Sequence, residues 1–164
     1  MEITRNDVLR RDLAELVVEP GTNGCVALTG TLPDPFTGEA LPFVRGEDSG
    51  SQIHIDHLVS LSNAWQTGAQ QLGEEQRTNF ANDPLNLWAV QGSANQQKGD
   101  GDAATWLPPN RAARCDLVAH QIAVKAKYDL WVTPPEAEAM QRVLSACPGQ
   151  SLPTEGQAAT PATN

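Results

Sequence analysis

The chain has 164 residues, 40% of them hydrophobic and 19% charged, with a formal net charge of −9. That length fits one domain with a core of its own, and the balance is ordinary for a globular protein. No apolar run approaches the length that crosses a membrane, and the acidic balance argues against a protein that coats nucleic acid with a wide basic surface.

The opening, MEITRNDVLRRDL, has no apolar stretch after its charges, so no signal peptide is expected there, although a mature chain that had lost its leader would read the same. Residues 4–17 read as a helix, capped by Thr4 or Asn6, with Val8, Leu9, Leu13, Leu16 and Val17 on one face and Glu19-Pro20-Gly21 at its end. Residues 25–31 and 41–45 read as strands. Asp34-Pro35 and Thr37-Gly38 supply the turn that makes them a hairpin. Arg45 ends this hairpin and is a candidate phosphate contact. Residues 46–51 form a flexible polar loop.

The next stretch carries the chemistry. A short strand ends in Asp56-His57. Residues 59–70 turn helical, with Leu61, Ala64 and Trp65 as the apolar side, and a second helix runs from Gly73 to about Asn82, where Asp83-Pro84 breaks it. A returning strand, 85–90, contains Asn86. Ser93 can then cap a short helix bearing Asn95 and Lys98. Strand, strand and helix in this order make a ββα unit that brings a carboxylate, an imidazole and an amide around one cation.

A phosphodiester repels an attacking hydroxide and leaves behind an unstable alkoxide, and a hard divalent cation offsets both problems. Mg²⁺ prefers oxygen ligands and keeps several waters. Asp56 and Asn95 supply such oxygens. His57 points to the opposite strand face from Asp56, because strand neighbours alternate, and an imidazole there can take a proton from water at neutral pH. Asn86 is a poor strand former. It is read as bonding backbone groups that hold the His57 loop, not as a ligand. Lys98 is read as a contact to the scissile phosphate region, His54 as a solvated strand histidine, and His120 as structural. Trp65, Trp88, Trp106 and Trp131 are read as core side chains and not as base-stacking platforms.

Past this unit, Trp106 to Pro109 forms an apolar corner. A long helix runs from Asn110 to about Tyr128 and a last one from Pro134 to about Ala146, and residues 148–164 are small, polar and expected to be disordered. Between Lys98 and Lys127 the bases Lys98, Arg111, Arg114, Lys125 and Lys127 outnumber Asp100, Asp102 and Asp116 by five to three. A small basic footprint with salt-sensitive binding is expected there.

Asp56-His57, Asn86 and Asn95-x-x-Lys98 resemble the HNH, or ββα-metal, endonucleases, in the variant whose last His is replaced by Asn. The HNH domain of RNA-guided CRISPR nucleases shares that arrangement. The phrases TRNDVLRRDL, TGTLPDPFTGE, FVRG, IDHLVSLSNAWQTGAQ, FANDPLNLWAV, ANQQKGDGDAATWLPP and CDLVAHQIAVKAKYDLWV are similar to a branch of small, often secreted bacterial HNH proteins. That branch is grouped with the C-terminal domain of GmrSD-type restriction enzymes. The resemblance spans residues 4–147. It implies an α+β fold, a mainly helical domain with short antiparallel strands around a central ββα-metal motif, over residues 1–147.

The implied function is metal-dependent hydrolysis of nucleic-acid phosphodiester bonds, DNA above all, by a monomer with no membrane partner. His57 and Asn86 would be catalytic, Asp56 and Asn95 would hold one Mg²⁺ or Mn²⁺, and Lys98 and Arg45 would bind substrate, leaving 3′-hydroxyl and 5′-phosphate ends. Two other readings stand beside it: a catalytically silent nucleic-acid-binding module, and a secreted toxin or interaction domain. Relatives in the branch are secreted or sit in the cell envelope; without a signal peptide here, a cytoplasmic location also stands. Those relatives carry a fourth cysteine before the TRND phrase, where this chain has Met1-Glu2-Ile3. The resemblance thus leaves Cys25 without a partner and pairs Cys115 with Cys147, a closure expected to add about 3–4 kcal/mol in the chain-entropy model. Three reduced thiols are the alternative if the protein is cytoplasmic.

Overall fold

The computed structural model describes residues 5–46 and 52–159. Thr4, the expected loop residues 47–51, and the last five residues of the tail lie outside that range. The fold is α+β, with short antiparallel strands. β1 (Ala14–Val18), β2 (Ala27–Pro33) and β3 (Ala40–Val44) form one antiparallel sheet in that order. β4 (Ile53–His57) and β5 (Leu87–Gln91) form a second, two-stranded sheet. The helices are α1 (Arg5–Asp12), α2 (Leu61–Gln66), α3 (Glu74–Ala81), α4 (Gly92–Lys98), α5 (Arg114–Lys127) and α6 (Pro134–Ser145).

The helix expected over residues 4–17 stops at Asp12. Leu13 N–H still bonds the Leu9 carbonyl at 2.9 Å, but Glu15 takes φ +51° and the chain continues as β1. The β-branched pair Val17-Val18 favours an extended backbone, and β2 supplies the partners, with Val18 opposite Ala27. A second difference lies before β5. Pro84–Asn86 is a single 3₁₀ turn capped by the Asp83 carboxylate, which accepts from Leu85 N–H at 2.9 Å. Pro84 fixes φ at a helical value, so Asn86 precedes the strand and does not lie within it. α4 is preceded by Gln91 as its cap residue, not Ser93, whose hydroxyl instead bonds the Gln91 side chain at 2.8 Å.

A lone two-stranded sheet is marginal in water. Here both faces are covered. Ile53, Leu87 and Ala89 join Val8, Leu9, Leu13, Ala27, Leu32 and Phe43 in one core cluster. On the opposite face Trp88 and Val90 pack with Phe36, Leu58, Ala94 and Leu117. The outer edge of β5 is closed by side chains where a third strand would lie. Asp12 accepts from Ala89 N–H and Asp34 from Gln91 N–H, each at 2.9 Å. Arg11 donates to the Leu87 carbonyl and, at 2.9 Å, to that of Pro84, while bonding Asp12 at 2.6 Å. On the β4 side Arg5 donates to the Ile53 carbonyl at 2.9 Å. An unpaired buried edge would otherwise leave several backbone groups without partners.

Cys115 and Cys147 are joined, S–S 2.17 Å, tying the start of α5 to the residues after α6, and Cys25 is free and exposed. Of the four tryptophans expected in the core, Trp88 is fully buried, but Trp65 and Trp131 are about half exposed, at 50% and 46%. Trp65 carries the Arg77 guanidinium 5.7 Å from its ring centre, and Trp131 packs against Gly68, where a Cβ would come within 3.0 Å of the indole. Beyond α6 the segment up to residue 159 folds back on the body, with Glu155 bonded to Lys127 at 2.5 Å. Among the described residues no helix is long and apolar enough to cross a membrane.

Candidate functional site

β4 alternates its side chains between the two faces of its sheet. His54 and Asp56 lie on the face covered by α4. Asp56 is 5% exposed, and the Lys98 ammonium donates to its Oδ1 at 3.1 Å and to the His57 carbonyl at 2.9 Å. Its other oxygen, Oδ2, is buried with no hydrogen-bond partner. Burial pushes the Asp56 carboxyl up to about 6, against the pull of the Lys98 ammonium. One turn before Lys98, the Asn95 amide nitrogen donates to His54 Nδ1 at 3.2 Å. With its nitrogen so engaged, the amide turns its oxygen elsewhere, and among the described residues that oxygen has no donor. His54 is therefore a partner of Asn95 and not the solvated strand residue expected.

The end of α4 explains the inward turn of Lys98. Gly99 N–H closes on the Asn95 carbonyl at 3.1 Å with φ +54°, and Gly101 N–H returns to the Lys98 carbonyl at 2.9 Å. A Cβ at Gly101 would come within 2.8 Å of that carbonyl, so the turn admits only glycine. The Lys98 side chain has no exposed surface. It was expected at a phosphate; it lies instead between Asp56 and the backbone of His57.

His57 is on the opposite face, with Nε2 2.8 Å from the Ala81 carbonyl at the end of α3. A carbonyl only accepts, so Nε2 carries the proton and Nδ1 the lone pair. Burial holds the imidazole below its usual pKa. The Ala81 bond works the other way, and the nearby Lys98 charge adds to the depression. Asn86 is wholly buried behind this loop. Its Oδ1 accepts from Val59 N–H at 2.8 Å, its Nδ2 donates to the Val59 carbonyl at 3.0 Å, and its own carbonyl accepts from Leu58 N–H at 2.9 Å. The Leu58 carbonyl is held from α5 by Gln121 at 3.1 Å.

The structure thus brings Asp56, Asn95, His54 and Lys98 together, sets His57 across the strand from them, and puts Asn86 under the connecting loop. Arg45 is elsewhere: its guanidinium bonds Asn6 and, at 2.7 Å, the Ala27 carbonyl. Among the described residues no three His, Cys, Asp or Glu side chains cluster.

Comparison with known proteins places the chain in a family. Residues 3–143 match the model of the C-terminal domain of GmrSD restriction endonucleases, an HNH-related family. The chain belongs to that family. This GmrSD C-terminal domain is also 38% identical over 146 residues to an uncharacterized secreted protein of Arthroderma benhamiae, covering 88% of the chain and 67% of that protein. No solved structure matches it. Sequence reasoning missed Arg11, Asp12, Asp34 and Gln121, whose bonds fix β5 and the His57 loop. Polar residues on a helix or in a turn look solvated until the strand edge they close is known.

Proposed function

We propose that this domain is a metal-dependent nuclease that hydrolyses phosphodiester bonds, with DNA as substrate. The observation that carries this is the buried Asp56 oxygen without a partner, on the strand face covered by α4. A carboxylate oxygen taken out of water costs free energy unless it meets a donor or a cation. The donors fit a hard ion: Asp56 Oδ2 and the uncommitted Asn95 oxygen would hold Mg²⁺ or Mn²⁺, with water and substrate completing the shell. A cation there would offset the charge of the phosphodiester and of the departing oxygen.

The remaining steps belong to the chain's own residues. Burial holds the His57 pKa down and so favours the neutral imidazole, and Nδ1 is the nitrogen that would accept a proton from water. Asn86 holds Leu58 and Val59 and so fixes the imidazole in place. Lys98 links Asp56 to the His57 carbonyl, a positioning role in place of a phosphate contact. Arg45, its guanidinium committed to Asn6 of α1 and to the Ala27 carbonyl, would reach substrate only at the margin. A secreted location fits the Cys115–Cys147 bridge, which persists in oxidising compartments, and the family relative described as secreted.

Supercoiled plasmid should be nicked with Mg²⁺ or Mn²⁺ and left intact in EDTA. His57→Ala should lower the rate by about 10²–10⁴-fold, the usual contribution of a general base. A folded His57→Ala protein that nicks at the normal rate would remove His57 from the mechanism, and cleavage in EDTA would remove the metal.

A further inference from the structure

Most of the cations in this acidic chain are engaged internally. Lys98 bonds Asp56, Lys125 bonds Glu136, and Lys127 bonds Asp83 and Glu155. Arg10 and Arg11 pair with Asp7 and Asp12, Arg5 and Arg45 donate to backbone carbonyls, and Arg77 lies on Trp65. Among the described residues, the side chains of Arg111 and Arg142 have no such partner. Arg114 is held only through Nε, which donates to the Pro108 carbonyl at 2.8 Å, so its two terminal nitrogens are open.

These three arginines come from separate places: the 3₁₀ turn Arg111–Ala113, the first residue of α5, and the last turn of α6. They converge on one cavity of about 320 Å³, whose other walls include Leu107, Ala139 and Val143. Cys115 also lines it, so the bridge to Cys147 fixes the two helices whose arginines meet there. Glu138 stands one turn before Arg142 on α6 yet makes no ion pair with it. The residues lining this cavity thus supply three guanidinium groups and no carboxylate, a charge balance that suits an anionic ligand.

We propose that this pocket seats a strand of nucleic acid, with the arginines on neighbouring phosphates and the apolar wall against a base or sugar. The assignment rests on the phosphodiester reading above. Guanidinium forks match phosphate oxygens. The apolar wall offers a surface to any base face and no donor pattern to a base edge, so binding would be indifferent to sequence. Of the basic footprint expected between residues 98 and 127, Arg111 and Arg114 are the part that lines this cavity, and Arg142 from α6 completes it.

The test uses the full chain and a fluorescent single-stranded oligonucleotide, read by anisotropy in EDTA across a salt series. The double variant Arg111→Gln/Arg142→Gln is set against Arg10→Gln/Arg77→Gln, which changes net charge equally at other surface sites. The first should weaken binding by about tenfold or more, as expected for two charge-assisted contacts. It should also flatten the log–log salt slope by about 1.4, at roughly 0.7 per phosphate of a single strand. The second should change neither. Equal losses in the two variants, or none in the first, overturn the proposal. Displacement of the oligonucleotide by a free nucleoside monophosphate at matching concentration would also overturn it, since the site would then take a small anion only. The readout needs neither metal nor turnover. A protein that binds this way but never nicks plasmid would sink the nuclease reading alone, and intact nicking with unchanged binding would sink the pocket alone.

Discussion

Two buried lysine–carboxylate pairs stand among the described residues, and they differ in what is left over. Lys125 and Glu136 join α5 to α6. Both Glu136 oxygens lie 3.0 Å from the Lys125 ammonium, which also donates to the Trp131 carbonyl at 3.0 Å and to Thr67 at 3.5 Å. That pair is closed: every strong partner is inside it. Lys98 and Asp56 join α4 to β4 at 3.1 Å, but Asp56 keeps one buried oxygen with no donor. A fold that can close one such pair completely has no physical need to leave the other open. The open one lies beside Asn95, in the strand–strand–helix unit, where an unsatisfied oxygen is useful to a ligand that arrives later.

The comparison is broken most strongly by neutralising each acid. Glu136→Gln keeps shape and leaves a buried ammonium half-partnered; loss of one member of a buried pair costs about 3–5 kcal/mol. Below its lowered melting temperature the folded protein should nick plasmid at the normal rate. Asp56→Asn should do the reverse. Its nicking should fall by more than the roughly 10–100-fold that loss of a residue behind a metal ligand produces, with the smaller change in melting. Normal nicking by Asp56→Asn, or a dead but folded Glu136→Gln, would show that the two pairs are alike in function.

The two asparagines sharpen the same distinction. Asn86 is closed, with oxygen and nitrogen both on Val59; Asn95 is open at its oxygen. Asn95→Ala should weaken metal binding, and raising Mn²⁺ should restore part of the rate. Asn86→Ala should keep metal affinity while lowering the rate, because a base displaced by about 1 Å can cost on the order of 10²-fold. Extra metal should not help it. Rate against metal concentration for both variants decides the matter: rescue of Asn86→Ala without rescue of Asn95→Ala would exchange their roles.

How far this site was legible in the sequence follows from the range of the interactions involved. Period and turn chemistry located β2, β3, β4 and the helices from α2 onward, because those signals are local. The opposite facing of Asp56 and His57 needed only the alternation of a strand. The helix read over residues 4–17 failed at Leu13, because pairing with β2 overrode a helical pattern that Leu16 and Val17 only mimicked. Lys98 was misplaced for a related reason. A lysine three residues after Asn95 looks exposed, and only the glycine turn after α4 together with buried Asp56 draws it inward. Arg11, Asp12 and Asp34 reach β5 across 57 to 77 residues of sequence, a distance over which no local pattern carries information.

The smallest expected effect is a slope. In the metal-free protein the Asp56 carboxyl is raised from 3.8 to about 6. The folded state therefore binds a proton more tightly there than the unfolded chain does. The stability this contributes is fully present below the unfolded value and is lost as pH rises through about 6. Between about pH 5 and pH 7 the loss amounts to about 1 kcal/mol. His57 acts in the opposite direction: its depressed pKa removes stability as pH falls, and it does so equally in wild type and Asp56→Asn. The difference between the two proteins isolates Asp56. Urea unfolding in EDTA should show wild type losing stability relative to Asp56→Asn as pH rises over that window. Parallel pH curves would mean that Asp56 stays ionised throughout and that its unpartnered oxygen is solvated after all. The open pair would then be no more strained than the closed one, and the argument for a cation beside Asn95 would lose its physical basis.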